Sequence, residues 1–125
     1  MVKKKKVSNN SAELVEMIIK GIQEKQGKKI VSLQLGVLPN TVCEYFVICH
    51  ANSRTQVDAI ADAVEHHVKT SLGYNVWHRE GLENSEWVLL DYADVVVHIF
   101  QEETRDFYRL ETLWADAGRT DYAAE

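Results

Sequence analysis

Residues 45–79 read YFVICHANSRTQVDAIADAVEHHVKTSLGYNVWHR, and this stretch decides the fold. The run from Tyr45 to Cys49 is apolar and rich in β-forming residues, which is typical of a strand buried on both faces. Ser53 starts a capping box, and apolar residues then recur at helical spacing until Gly73 ends the helix. A short strand is predicted at Val76 to Arg79. This order predicts a βαβ unit whose two strands form a parallel pair.

Further elements are predicted on both sides of this unit. A helix with one apolar face begins at Asn10, and residues 30–35 alternate between apolar and polar side chains as a half-buried strand does. Residues 87–91 and 94–100 form two strands joined by a very short turn. A last helix is predicted from about Glu102 to Trp114, with Phe107, Leu110 and Trp114 along one apolar stripe.

These elements predict an α+β fold with a mixed five-stranded sheet that contains the βαβ unit and is flanked by helices. The domain is predicted to span residues 10–117. Residues 1–9 are predicted to form a disordered basic tail, and residues 118–125 a frayed acidic tail.

Charge is unevenly distributed along the 125 residues. The formal net charge is −5 and Lys3–Lys6 lie together, so the remainder carries −5 − 4 = −9. An acidic body disfavours a general nucleic-acid binder and points to basic partners. No apolar run reaches the roughly 20 residues that a membrane span needs. Neither a secretory signal nor a disulfide framework is evident, so a cytoplasmic location is predicted.

Sequence patterns that carry chemistry are missing. The chain has no nucleophile elbow, no P-loop and no dinucleotide-binding glycine motif. Cys43 and Cys49 are about 20 Å apart in an extended chain, which is too far for both to bind one zinc ion. No metal site, no cofactor and no catalytic residues are therefore predicted.

One face of the hairpin at residues 87–100 is unusual. A turn at Tyr92-Ala93 would place Asp91 opposite Asp94, Leu89 opposite Val96 and Trp87 opposite His98. Three interpretations are open: a semi-exposed sheet face with a Trp–His stack, a surface for docking a basic protein around a tryptophan anchor, and a carboxylate pair holding a metal ion. For the third interpretation, the sequence shows neither a third metal ligand nor a basic residue placed to bind a phosphate.

The same hairpin carries a resemblance to a known family. The matching stretches are EWVLLDYADVVVH (residues 86–98), FVIC (46–49), NSR (52–54), IAD (60–62), EG (80–81) and FYRLETLW (107–114). Together they resemble the ribosomal silencing factor family, also called RsfS or Iojap-like, over roughly Leu14 to Ala117. Ala93 departs from the pattern, because the family usually has glycine there.

The resemblance implies a function. Members bind the large ribosomal subunit through its ribosomal protein numbered fourteen, keep the small subunit from joining, and repress translation when nutrients are short. They form homodimers when free. The positions that match the family's partner-binding residues are Trp87, Leu89, Asp91, Asp94 and His98.

The resemblance also implies a nucleotidyltransferase-type palm without its catalytic residues. Such a palm needs a Gly-Ser loop and a D-x-D pair, whereas this chain has Asn52-Ser53-Arg54 and an Asp91–Asp94 spacing. A non-enzyme is therefore expected. A nucleotide-binding enzyme on the same fold and a general RNA-binding module are the alternatives. The first would need carboxylates converging on Mg²⁺, and the second a basic face with aromatic residues.

Overall fold

The computed structural model describes the backbone of residues 2–37 and 43–123, and their side chains from residue 11 onwards. The elements in chain order are α1 (Val2–Glu24), β1 (Lys28–Gln34), a 3₁₀ turn (Leu35–Val37), β2 (Tyr45–Ala51), α2 (Arg54–Leu72), β3 (His78–Glu80), β4 (Trp87–Asp91), β5 (Val95–Gln101), α3 (Glu102–Tyr108), α4 (Leu110–Leu113) and β6 (Gly118–Tyr122). None of the helices in these ranges is long and apolar enough to cross a membrane.

The strands form one mixed sheet in the order β3-β4-β5-β2-β1-β6. β2 and β5 are parallel, and the other neighbours are antiparallel. The predicted α+β fold with a mixed sheet and flanking helices is confirmed. The predicted number of five strands was wrong, because the sheet has six. The nucleotidyltransferase-type palm stays a prediction.

Each face of the sheet carries an apolar core. α1 and α2 cover one face, where they pack against side chains such as Val47, Val97 and Ile99. The other face carries the short helices α3 and α4, and its buried centre includes Ile48 and Phe100. Because these two helices span only seven and four residues, they leave part of this second face open.

The predicted parallel pairing inside the βαβ unit was wrong. β3 lies at an edge of the sheet and pairs only with β4, so β4 and β5 separate it from β2. All three residues of β3 are exposed. A strand with no buried side chain cannot occupy the centre of a sheet covered on both faces, whereas the apolar β5 can. The parallel partner of β2 is therefore β5.

The segment predicted as a frayed acidic tail instead contains β6. This strand pairs with β1 in antiparallel register, with Ser32 opposite Thr120. The hydroxyl groups of Ser32 and Tyr122 are 3.1 Å apart and share a hydrogen bond. β6 thus covers the outer edge of β1, which would otherwise expose unpaired backbone groups.

Two helix boundaries also differ from the prediction. α1 begins at Val2 rather than Asn10, so the predicted boundary of the basic tail does not match the helix. The order or disorder of residues 1–9 in solution stays a prediction, since their side chains lie outside the described residues. The last predicted helix is divided into α3 and α4 at Arg109, where φ is 48°.

Candidate functional site

The hairpin of β4 and β5 has a different register from the predicted one. Trp87 lies opposite Phe100, Leu89 opposite His98 and Asp91 opposite Val96. Asp94 is in the turn and does not face Asp91. Because the shift is two positions along the partner strand, each side chain keeps the face that the prediction gave it.

The register follows from the burial of Tyr92. This side chain is only 8% exposed and belongs to the core beneath α1 and α2. Its backbone N–H donates to the carbonyl of Val95, so Tyr92 pairs across the hairpin and Ala93-Asp94 make the turn. Ala93 has a φ of 73°, and the Asp91 carboxylate accepts its N–H at 2.7 Å. That hydrogen bond supports a left-handed conformation in which glycine is the usual residue.

Trp87 is held in place by His98. The indole Nε1–H donates to Nδ1 of His98 at 3.1 Å. The rings are tilted by 47° with centroids 6.0 Å apart, so the two residues are hydrogen-bonded rather than stacked. Trp87 remains partly exposed. The tryptophan therefore has a fixed orientation at the surface, as an anchor residue needs.

His98 itself is not a surface residue. It is 4% exposed, and burial lowers its pKa to about 4, so the ring is neutral at pH 7. Phe46 packs edge-on against it with centroids 4.5 Å apart. The predicted face is semi-exposed at Trp87 and Leu89, but His98 is buried within it. It can act on a partner only through the tryptophan that it orients.

Helix α3 adds exposed aromatic side chains beside Trp87. Tyr108 packs against Trp87 with centroids 4.9 Å apart, and Phe107 packs against Tyr108 at the same distance. Phe107 is 79% exposed. We call the surface formed by Trp87, Leu89, Phe107 and Tyr108 the apolar surface.

Sequence reasoning missed the contribution of α3 to this surface. The predicted helix placed Phe107 on its apolar stripe together with Leu110, which pointed to burial. The break at Arg109 changes the direction of the chain, so that Leu110 is buried while Phe107 faces outward. The exposed pair Phe107-Tyr108 was visible only as part of a family motif.

The two aspartates lie at the other end of the hairpin from Trp87. Asp91 ends β4 and caps the turn, as described above. Asp94 contributes to a cavity together with Leu14 and Tyr74, away from the indole. Burial, followed by the charge of Glu44, raises the pKa of the Asp94 carboxyl. The structure thus brings Trp87, Leu89 and His98 together but places Asp91 and Asp94 separately.

The loop before β4 fixes the start of that strand. Gly81 has a φ of 88°, and a Cβ there would lie 2.0 Å from the carbonyl oxygen of Trp87. Ser85 is fully buried and donates a hydrogen bond to Asp58 on α2. The amide of Gln101 donates to the carbonyl of Ser85 at 3.0 Å. These contacts determine where Trp87 enters the sheet.

The thiols do not form a reactive site. Burial, with a smaller effect of Asp91, raises the pKa of Cys43 to about 11, and burial raises that of Cys49 to about 12. A protonated thiol is a poor nucleophile and a poor metal ligand. In the ranges that the structure describes, no three His, Cys, Asp or Glu side chains are grouped as a metal ion would require.

Comparison with known proteins identifies the family. A family model described as "Ribosomal silencing factor during starvation" matches residues 8–125, nearly the whole chain. The chain belongs to the ribosomal silencing factor family. The resemblance seen in the hairpin and the C-terminal motif is thereby confirmed.

Individual members of the ribosomal silencing factor family are similar over most of their length. The protein named ribosomal silencing factor RsfS from Halalkalibacterium halodurans is 36% identical over 108 residues, covering 86% of this chain and 91% of the relative. The protein of the same name from Bacillus subtilis is 36% identical over 112 residues, covering 90% and 93%.

A solved structure is also similar to this chain. The crystal structure of a protein from Chromobacterium violaceum has a TM-score of 0.78 and 31% identity, covering 90% of this chain and 93% of that chain. The fold described above, including its α+β architecture, is thus also found in an experimental structure.

Proposed function

We propose that this chain binds the large ribosomal subunit and represses translation. The observation that carries the proposal is the apolar surface, where a hydrogen-bonded tryptophan lies beside exposed aromatic and aliphatic side chains. Oriented aromatic residues at the centre of a patch are typical binding anchors. Family membership supports a ribosomal partner for it, because the relatives are named ribosomal silencing factors.

The partner on the subunit is the ribosomal protein numbered fourteen. Charge supports this choice. Glu80 and Glu86 are exposed next to Trp87, in a body that carries −9 outside the lysine run. An acidic rim around an apolar centre suits a basic ribosomal protein and increases the association rate. Asp91 lies at the other end of the hairpin with its carboxylate engaged by the turn, so it contributes to the overall negative charge of the body and not to this rim.

Repression follows from steric exclusion. A chain seated on the face of the large subunit that meets the small subunit prevents joining by its volume alone, and nutrient limitation is the condition in which this occurs. No catalytic step is needed, so the chain acts as a binding protein without a cofactor, in the cytoplasm. When free it forms a homodimer, which would cover exposed apolar area.

The test is co-sedimentation with isolated large and small subunits. Wild-type chain should pellet with large subunits only. Phe107→Ala should weaken binding about 30-fold, the effect of losing roughly 2 kcal/mol at a binding anchor. The Phe107 side chain is 79% exposed, so folding should be little affected.

Trp77→Ala is the matched control. Trp77 is 76% exposed but precedes the edge strand β3 and lies outside the apolar surface. Its removal should leave binding unchanged. Equal recovery of the wild type with both subunits, or a loss of binding in Trp77→Ala as large as in Phe107→Ala, would disprove the proposed surface.

A further inference from the structure

A crevice lies at the carboxyl ends of the two parallel strands. After β2 the chain passes to α2 on one face of the sheet, and after β5 it passes to α3 on the opposite face. Adjacent parallel strands whose connections leave in opposite directions open a crevice between them, and α/β proteins commonly bind ligands there. Here the crevice has a volume of about 300 Å³, and its lining includes His50 and Arg105.

The floor of the crevice holds a buried hydrogen-bond donor. His50 is 5% exposed, and Nη1 of Arg105 donates to its Nδ1 at 3.0 Å. Because a guanidinium has no acceptor, Nδ1 must accept and the ring proton is on Nε2. Burial, followed by the charge of Arg105, lowers the pKa of His50, so the ring is neutral. No described residue accepts a hydrogen bond from this Nε2–H.

Arg105 is fixed by other groups and acts as a support. It forms an ion pair with Glu111 at 2.6 Å and donates to the carbonyl of Lys29 at 2.8 Å. Burial opposes ionisation of Glu111, but the hydrogen bonds from Arg105 lower its carboxyl pKa overall. The Glu111 charge is therefore neutralised by Arg105 and does not repel an incoming anion.

The rim of the crevice carries cations and carboxylates in balance once this pair is set aside. Its other cations are Lys29, Arg109 and Arg119, and its other carboxylates are Glu102 and Asp106. Arg119 also pairs with Asp121 at 2.9 Å, but both side chains are exposed, so the pair is weak and a phosphate can compete for the arginine. Lys29 and Arg109 both have left-handed backbones, with φ of 49° and 48°. Such conformations are unfavourable for residues with a side chain and concentrate at functional sites.

We propose that this crevice binds a small phosphorylated molecule, whose phosphate accepts hydrogen bonds from His50 and from the rim cations. Arginine and lysine bind phosphate through charge-assisted hydrogen bonds, and the volume suits a small ligand. Glu102 and Asp106 disfavour a continuous track for an RNA backbone. Binding requires no Mg²⁺. The crevice uses Arg105 and Asp106 of α3, whereas the apolar surface uses Phe107 and Tyr108 of the same helix.

The test is NMR titration of the full chain with pyrophosphate in the absence of Mg²⁺. The His50 ring resonances should shift and saturate, because its free Nε2–H gains an acceptor. Arg119→Gln should weaken binding about tenfold, and Lys29→Asn should do the same while keeping a residue that tolerates the left-handed backbone. Lys69→Gln, which removes one exposed charge from α2, is the control and should bind normally.

Three results would overturn the proposal. The first is a shift of the His50 resonances that sodium chloride reproduces at equal ionic strength. The second is equal binding by Arg119→Gln and Lys69→Gln. The third is a single-stranded RNA that competes for the same resonances and binds more tightly than pyrophosphate, which would assign the crevice to nucleic acid.

Discussion

The orientation of Trp87 depends on two neighbouring residues. His98 accepts the indole N–H from inside the sheet, and Gly81 allows the loop before β4 to pass close to the backbone of Trp87. Neither residue is itself exposed enough to anchor a partner. Specific changes at these positions should therefore alter binding through the geometry of one side chain.

Gly81→Ala should destabilise the fold strongly. The new Cβ would overlap the carbonyl oxygen of Trp87, and the left-handed backbone adds strain, so we expect a loss of about 3 kcal/mol or more. Gly73→Ala is the control, because φ is 78° there but nothing lies within 4 Å of the new atom. It should cost only about 1–2 kcal/mol. Urea unfolding of both variants measures the difference, and equal losses would contradict the close approach.

The burial of His98 should make stability depend on pH. Its folded pKa of about 4 lies below the unfolded value of 6.5, so the unfolded chain binds more protons between these values. Stability should therefore be complete above pH 6.5 and fall as the pH drops toward 4, by about 3 kcal/mol. His50 shifts in the same direction and adds to the loss.

Urea unfolding at pH 7 and pH 4.5 measures this dependence. His98→Gln should be less stable at pH 7 but should lose less on acidification. His66→Gln, at an exposed position on α2, is the control and should follow the wild type. A His98→Gln variant with the same acid sensitivity as the wild type would contradict this origin of the pH effect.

At the level of elements, the sequence predicted those with strong periodicity. The N-cap at Ser53 and the end of α2 at Gly73 are confirmed, with Ser53 accepting from the N–H of Gln56 at 3.1 Å. The Gln56 side chain donates to the carbonyl of Lys25 at 3.2 Å instead of completing a capping box. The strands of the hairpin were also predicted to within one or two residues. In α2 and in the hairpin strands, the spacing of the apolar residues predicts which side chains are buried, and their burial favours the helix or strand that is observed.

The pairing of strands that are distant in the chain could not be predicted from the sequence. The neighbours of β3 and the existence of β6 depend on which sheet edges remain free, and local patterns carry no such information. The exposure of Phe107 depends on the left-handed backbone of Arg109. The sequence has no glycine at this position, so the break in the helix could not be predicted from it. For the candidate site, Trp87 and Leu89 were placed together correctly, whereas the burial of His98 required the packing of Phe46 and Phe100 around it.

Truncation of the chain before β6 tests whether residues 118–122 act as an ordered strand or as a frayed tail. A chain ending at Ala117 loses the ladder with β1 and the hydrogen bond between Ser32 and Tyr122. We expect a lower melting temperature and concentration-dependent association, because the edge of β1 becomes open. A chain ending at Ala123 is the control. Unchanged melting and solution size after the first truncation would mean that β6 adds nothing to stability.

At the level of the whole molecule, the distribution of charge should govern association with the ribosome. Binding of an acidic body to a basic partner weakens as salt screens the charges. Glu86→Lys should slow association and reduce its salt dependence, since Glu86 is exposed beside Trp87. Stopped-flow or surface-binding measurements between about 0.05 and 0.5 M salt test this effect. The Debye length falls several-fold over this range of salt concentration.

Glu16→Lys makes the same change in net charge on the opposite side of the molecule. Glu16 is exposed on α1, which covers the other face of the sheet. It should alter association less than Glu86→Lys does. Equal effects of the two substitutions would show that net charge alone, and not its position beside the apolar surface, determines the rate.

The pairing of β6 with β1 also has a consequence for synthesis. β6 follows every other described element, whereas its partner β1 is the first strand to be made. While the chain is being translated, the outer edge of β1 has no neighbour until residues 118–122 have left the exit tunnel. The nascent chain therefore carries an open strand edge from the emergence of β1 until that of β6, and such edges can pair with other nascent chains. A member of a ribosomal silencing family thus completes its own sheet only after the last of its described strands has been translated.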